Sequence, residues 1–544
     1  MDDITLEALG YHEVLGELEG FAVSPPARGL VRGLRPGTDR SGIEEAFAEL
    51  TEMGSVLKAS GPLPFDGIRD IGPLLSAPAP EGAYFTPPEL FDIKETIEAI
   101  SRIKSLVDRS FSRAFPVTSS RIGTLSDHKA LRGELSRVLD EKGHIRDEAS
   151  AKLREIRGEV LSSRERGRAV LEKLTGSREL SGVFTDEIST IRDDRYVLLV
   201  KAGRHAELPG VVHGRSASGA TYFVEPFQVV ELNNRIAILK KEEKTEEVKI
   251  LKAATARVIE ERDIIMADLS ATARLDLAQA KALFKEHIQA VVPLIKEGGE
   301  VKLTGARHPL LVFKELKRGA PVVPVDIRLR PGSSVLVISG ANAGGKTVAL
   351  KTLGLLSLMA QTGLAIPAEE GSELNLFNNV FSDIGDRQDI AEDLSTFSAH
   401  LKRLGEILEA VSPPTLVLVD EIGVGTDPAE GGVLALAMLE TLSERGATTV
   451  VTTHLNILKA RAQTDPAFEN AAVEFDEETT RPRYKLGYGV PGPSLGLSVA
   501  RNYGIPDGVI KRAREMLEGD EGEFIRSVRA LEEEKGEVRA LREG

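Results

Sequence analysis

The longest hydrophobic pattern in the chain occupies residues 126–174, where Leu131, Leu135, Val138, Ile145, Ala149, Leu153, Ile156, Val160, Leu171 and Leu174 return to one helical face among charged residues. A second pattern occupies residues 229–284, through Ile236, Leu239, Val248, Leu251, Val258, Ile265 and Leu269. Steps of three and four predict two long amphipathic helices that share a coiled-coil seam. Between them the period shortens to that of strands at Arg195–Lys201, 210–213 and 220–224, which predicts a small β-rich insert. Two helices of about 50 residues, rising 1.5 Å per residue, reach on the order of 75 Å. Such a pair carrying a β module at its far end is an arm.

Two shorter apolar runs have a different character. Val335-Leu336-Val337-Ile338 and Thr415-Leu416-Val417-Leu418-Val419 are uninterrupted and β-branched, as strands buried on both faces are. The first is followed by a helical pattern over Lys346–Gln361 with Val348, Leu350, Leu353, Leu355, Leu356 and Leu358. The Pro/Gly breaks Ser24-Pro25-Pro26, Gly61-Pro62-Leu63-Pro64 and Ala77-Pro78-Ala79-Pro80 interrupt a helical N-terminal region. The organisation read from these patterns is a helical core at 1–125, a first arm helix at 126–183 and the β-rich clamp at 184–226. A returning arm helix follows at 227–297, an α/β domain at 298–515 and a charged linker helix at 516–544.

Composition narrows the setting. The 544 residues leave room for several domains. The chain has no cysteine, which excludes disulfides, thiolate zinc sites and cysteine nucleophiles and fits a reducing cytoplasm. No basic leader precedes an apolar stretch, and no apolar run reaches the ~18 residues of a membrane helix, so a soluble cytoplasmic protein without membrane contact is expected. The net charge of −15 opposes wholesale coating of nucleic acid while allowing a local basic surface.

The chemistry concentrates behind the two buried strands. Gly340-Ala341-Asn342-Ala343-Gly344-Gly345-Lys346-Thr347 fits G-x-x-x-x-G-K-[ST] and stands between a strand and a helix, as a phosphate-cradling loop must. Its glycines let N–H groups turn toward phosphates, Lys346 reaches the β and γ oxygens, and the Thr347 hydroxyl faces Mg²⁺. The second strand ends in Asp420-Glu421. A carboxylate there can hold the metal and its neighbour can polarise an attacking water, so Asp420 is assigned to Mg²⁺ and Glu421 to the general base. An ATP site with Mg²⁺ is expected.

On the β insert, Lys201, Arg204, His205, His213 and Arg215 cluster on loops beside Gly203, Gly210, Gly214 and Gly219, which permit close approach of a phosphate backbone. Ordinary solvated loop charges are the plainer reading. His205 and His213 have no third partner at metal-ligand spacing.

These segments together resemble the MutS family of ABC-type ATPases. Gly340-Ala341-Asn342 resembles the Gly-Pro-Asn that opens the family's phosphate loop, and Asp420-Glu421 its hydrolytic acids. Asp383-Ile384-Gly385-Asp386 leading to Leu394-Ser395-Thr396-Phe397-Ser398 resembles its signature segment, Gly425-Thr426-Asp427-Pro428 the following loop, and Thr452-Thr453-His454 its switch histidine. Arg195-Tyr196-Val197, Val200-Lys201, Pro209-Gly210-Val211-Val212-His213, Ser216-Ala217-Ser218-Gly219-Ala220-Thr221 and Val230-Glu231-Leu232-Asn233-Asn234 are similar to the clamp and arm of the second bacterial MutS paralogue, the short type without mismatch-reading domains. The likeness extends from near Met1 to about Gly519.

The resemblance implies an ABC-type P-loop ATPase domain on a mainly α-helical core, with a long helical arm and a small β-rich clamp. It implies a homodimer in which Ser395 completes the partner's ATP site, with His454 joining Lys346 and Glu421 in catalysis. Lys201, Arg204, His213 and Arg215 would touch nucleic acid: branched DNA, as in suppression of recombination, or rRNA of collided ribosomes split in quality control. Ala341 replaces the family's proline but keeps the phosphate-facing N–H groups, whereas Leu455 stands where an aromatic is usual beside adenine. The paralogue continues through a charged linker into an Smr-type nuclease domain, and this sequence stops within that linker, so nuclease activity is not expected from it.

Leu275-Asp276-Leu277 superficially matches an Smr motif but lies at core spacing on the arm helix. The mismatch wedge Phe-x-Glu is matched in letters by Phe47-Ala48-Glu49, Phe223-Val224-Glu225 and Phe475-Asp476-Glu477, and Phe47 falls in a helical pattern over 43–53 that makes it core. Two other classes remain open on the residues alone: a long-coiled-coil ABC-type DNA tether, whose arms would be far longer, and an interaction scaffold without turnover.

Overall fold

The computed structural model describes residues 1–77, 80, 82–298, 300–340, 344–385, 396–476, 482–489, 500 and 504–520. By contacts the chain forms two compact units, one of Val23–Ala27 and Leu63–Asp276, the other of Met1–Ala22, Arg28–Pro62 and Leu277–Gly544. The expected 1–125 core is therefore divided between the two units.

The first unit is built on helices. The helix expected to start near residue 126 is two helices, Lys129–Val138 and Ala151–Thr175. Between them the chain turns back on itself, with Asp140 Oδ1 accepting from the N–H groups of Lys142 and His144 at 2.8 Å each and Leu139 bridging Ile145. Gly143 supplies the left-handed φ of 81° at this turn. Ser150 then caps the second helix by accepting from Leu153 N at 3.0 Å. The returning helix also breaks once, into Phe227–Glu260 and Arg262–His287. Glu261 leaves helical geometry at ψ 3° while its carboxylate meets His128 Nδ1 at 2.8 Å, and His128 Nε2 meets Asp268 at 2.8 Å. Burial opposes charge on that ring, but the hydrogen bonds of Asp268 and Glu261 outweigh it and raise the His128 pKa.

Helices Ala151–Thr175 and Phe227–Glu260 pair antiparallel. Ile156, Val160 and Leu239 form the apolar contact, and Arg157 binds Glu243 at 2.7 Å and Glu247 at 2.8 Å across it. The β module carries four strands, β1 (Phe184–Arg192), β2 (Arg195–Lys201), β3 (Gly210–Arg215) and β4 (Thr221–Pro226), in the antiparallel order β1-β2-β4-β3. Leu171, Val183, Leu198, Val200, Val224 and Val229 close its core against the flanking helices. Leu275 is buried, and Asp276 accepts from the backbone N–H and hydroxyl of Ser24 at 2.6 Å, so both serve packing.

The second unit contains two sheets. One has order β5-β9-β6-β7, with β5 at Leu294–Lys296, β6 at Val301–Ala306, β7 at Val325–Leu329 and β9 at Glu373–Asn375. The larger sheet is made of β8 (Val335–Ser339), β10 (Asn379–Asp383), β11 (Thr415–Val419), β12 (Ala447–Thr452), β13 (Phe468–Phe475) and β14 (Pro482–Tyr488). Its order is β10-β11-β12-β8-β13-β14, parallel except for the last pair. The uninterrupted apolar runs are the middle strands, every residue of β8 and β11 being buried, as a parallel sheet covered on both faces requires. Phe47 is buried in helix Arg40–Ser60 as core.

Candidate nucleotide site

All the polar groups of interest stand just beyond the carboxyl ends of the parallel strands, where α/β sheets open their crevices. β8 is followed by Gly340, whose φ is 125°, and Gly345 stands at φ 91° where helix Lys346–Gln361 begins. Ala341, Asn342 and Ala343 lie outside the described residues. A Cβ at Gly344 would stand 2.9 Å from Val473, and one at Gly345 3.1 Å from Tyr484, so the loop has room only for bare backbone on that side. Gly345 gives the helix no side-chain cap, leaving first-turn N–H groups to face an anion.

Lys346 is 1 % exposed and donates to the Gly340 carbonyl at 2.6 Å and to His454 Nε2 at 2.9 Å. Burial lowers its pKa to about 8, against the pull of Glu421 and Asp420. Burial and the neighbouring Lys346 charge also lower the His454 pKa, which suits a neutral ring accepting from the ammonium. Glu421 Oε1 lies 3.7 Å from the other side of this contact, at His454 Nε2.

The Thr347 hydroxyl donates to Asp420 Oδ2 at 2.8 Å. Thr452, fully buried at the end of β12, donates to Asp420 Oδ1 at 2.5 Å and accepts from Glu421 N at 2.8 Å. One threonine thus sets both acids, and Glu421 is held at a left-handed φ of 52°. Asp383 closes the row: its carbonyl accepts from Asp420 N at 2.9 Å and its carboxylate meets His400 Nδ1 at 2.8 Å. Asp383, His400, Asp420 and Glu421 line one small cavity, walled otherwise by apolar side chains of helices Thr396–Ala410 and Pro428–Glu444 and by Ile422 and Val424 after β11. Ser395 lies outside the described residues.

The geometry therefore gathers Gly340, Gly344, Gly345, Lys346, Thr347, Asp420, Glu421 and His454. The bridging part of Thr452 and the Asp383–His400 pair were not anticipated. Both depend on strand register, which apolar runs do not encode. The residues fit Mg²⁺ in one respect: Thr347 and Asp420 bring two hard oxygens together, the kind of partial set that Mg²⁺ completes with phosphate oxygens and water.

The cations of the β module have partners within the protein. Lys201 Nζ donates to the Gly182 carbonyl at 3.0 Å, Arg204 pairs with Glu207 at 2.5 Å, and Arg215 Nε donates to the Gly219 carbonyl at 2.5 Å. His213 Nε2 meets Glu225 at 2.5 Å. Glu225 is 1 % exposed and also receives Arg195 at 2.7 Å and Asn233 at 2.8 Å. Burial raises its pKa, but the bonds from Asn233, His213 and Arg195 reverse this and leave it lowered. His213 is thus part of a buried polar knot, whereas Lys201 and Arg215 are exposed and Arg204 is half-buried. His205 packs tilted against Tyr222 with ring centres 4.8 Å apart.

The domain model described as MutS domain V matches residues 336–519, the stretch that carries this site. The Endonuclease MutS2 of Halothermothrix orenii is 36% identical over 549 residues, covering 100% of this chain and 68% of that protein. The Endonuclease MutS2 of Geobacillus kaustophilus is 39% identical over 541 residues, covering 98% of this chain and 68% of that protein. The Putative endonuclease MutS2 of Bacillus subtilis is 37% identical, with the same two coverages of 98% and 68%. Likeness of this depth along the arm, the β module and the nucleotide-facing sheet together means that the chain belongs to the MutS2 family.

Proposed function

We propose that the chain is an ATP-hydrolysing, homodimeric nucleic-acid clamp of the MutS type, with an ABC-type P-loop ATPase domain. The observation that carries the reading is the convergence of Lys346, Thr347, Asp420, Glu421 and His454 at the ends of β8, β11 and β12. Loop 340–347 would cradle the triphosphate, with Lys346 neutralising its γ oxygens. Thr347 and Asp420 would hold Mg²⁺, which supplies charge neutralisation between phosphate oxygens when bound. Glu421 takes the proton of the attacking water, and His454, neutral beside Lys346, contributes a hydrogen bond at the γ side. Ser395 completes the partner's site in the dimer.

The nucleic-acid grip is assigned to the β module through Lys201, Arg204 and Arg215, with His213 holding the module's shape through Glu225. Branched DNA and the rRNA of collided ribosomes are the two targets. The names of the relatives include an endonuclease activity, and no residue of this chain is assigned to it. Among the described residues no helix is long and apolar enough to cross a membrane.

The test is Mg²⁺-dependent ATP turnover and nucleotide affinity for the wild type, Lys346→Ala and Glu421→Gln. Lys346→Ala should lose ATP binding, while Glu421→Gln should bind ATP and stall before hydrolysis. Equal loss of affinity in both variants would overturn the assigned roles. Co-sedimentation with ribosomes and retardation of a DNA junction, measured side by side at one salt concentration, separate the two targets.

A further inference from the structure

We propose that Asp383 and His400 form a positioning pair that fixes the hydrolytic acids Asp420 and Glu421 and locks them to helix Thr396–Ala410. The proposal rests on the ATPase reading and adds a part that neither the glycine loop nor the strand-end acids supply.

Asp383 is the last residue of β10 and lies in register with Val419, so it is the lateral neighbour of the point where β11 passes into Asp420 and Glu421. The ladder continues one step further, because Asp420 N donates to the Asp383 carbonyl at 2.9 Å. The Asp383 side chain is only 3 % exposed, and a carboxylate so enclosed needs a donor. His400 supplies it from the neighbouring helix at 2.8 Å. One turn further along, Arg403 Nε donates to the Ser382 carbonyl at 3.3 Å, and its Nη2 binds Asp2 at 2.6 Å. The helix is thus fastened to β10 at two successive points.

The two fastenings differ in what they face. Arg403 is buried away from the site among Ser382, Thr5 and Asp2. His400 keeps about a quarter of its side chain open and lines the cavity shared by Asp420 and Glu421. Since Arg403 already anchors the helix, the His400 contact is placed to govern the acids rather than the fold. Thr452 fixes Asp420 and Glu421 from β12; from the opposite strand the Asp383 main-chain carbonyl holds Asp420 N, while the Asp383 carboxylate, tied to His400, holds that strand end in place. Catalytic acids confined from both sides retain their reactive geometry, and loss of one wall costs rate more than binding.

The experiment measures ATP turnover and equilibrium binding of a fluorescent ATP analogue for wild type, Lys346→Ala, His400→Ala, His400→Gln, Asp383→Asn and the double variant. His400→Ala should lower kcat by about 10- to 100-fold with affinity within about twofold of wild type. Added imidazole should restore part of the turnover of His400→Ala and none of Asp383→Asn. The double variant should be no slower than its slower parent, because the two residues act as one unit. Thermal melting identifies any variant that fails to fold; if Asp383→Asn fails, His400→Ala and its imidazole rescue decide the matter. Wild-type kcat in folded His400→Ala, a KM increase without a kcat change, or additive losses in the double variant would each overturn the proposal. A wild-type chain that turns over ATP no faster than Lys346→Ala would remove the ATPase reading itself, a result distinguishable from all of these.

Discussion

The hydroxyl of Thr452 donates to Oδ1 of Asp420 across 2.5 Å, and the Thr452 oxygen itself accepts the backbone N–H of Glu421. Thr452→Val keeps shape and removes both bonds. It should lower Mg²⁺-dependent turnover by about 10- to 100-fold, as loss of a partner behind a metal ligand does. Stability should fall by about 1–3 kcal/mol, because the Glu421 N–H is left without its partner. Turnover and chemical denaturation of one preparation check both numbers, and unchanged turnover would disprove the bridging role.

The proposed role of Lys346 ties nucleotide binding to pH. Burial leaves its pKa at about 8, while a triphosphate requires the charged amine. Below about pH 8 the amine already carries its proton and this group adds no pH dependence. Above that value binding must take up a proton, so affinity should fall by up to about tenfold per pH unit. Calorimetric titration in buffers of different ionisation enthalpy should find close to one proton taken up at pH 9 and none at pH 7. Equal uptake at both would rule this coupling out.

Complementation tests the shared site. Mixing Lys346→Ala with Ser395→Arg should restore one intact site per heterodimer and so part of the wild-type turnover. Heterodimers that form but remain as inactive as their parents would count against completion in trans.

Replacing Lys201, Arg204 and Arg215 together should weaken binding to DNA and RNA alike and flatten the salt dependence by up to about three units of slope. His213→Ala should act differently, lowering the stability of the module by leaving Glu225 one donor short. Unchanged nucleic-acid affinity in the triple variant would move the contact surface away from this part of the β module.

How much of this was visible in the letters depends on the range of the interaction. β8 and β11 were legible because a doubly buried strand writes its own apolar run, and the glycine loop because its spacing is local. The arm helices were legible as faces but not as lengths. Asp140 to Gly143 form a turn within the seam pattern, and Glu261 is drawn off the helix by His128, far away in sequence. β1 escaped notice since Asp186 and Glu187 dilute its strand character, and pairing with β2 holds it in place. Thr452 could not be matched to Asp420 without knowing that Val451 stands opposite Val419. The partners of Arg204 and His213 were equally hidden, because a count of basic residues does not show which acid each will find.

Glu421 carries its side chain on a left-handed backbone with φ 52°. For a residue with a Cβ that conformation costs about 1–2 kcal/mol, and glycine would adopt it freely. With Glu421 as the proposed general base, selection for thermal robustness and selection for turnover therefore pull in opposite directions at this single position. A library of this chain screened only for heat resistance should enrich glycine at 421, and its most durable members would be silent enzymes.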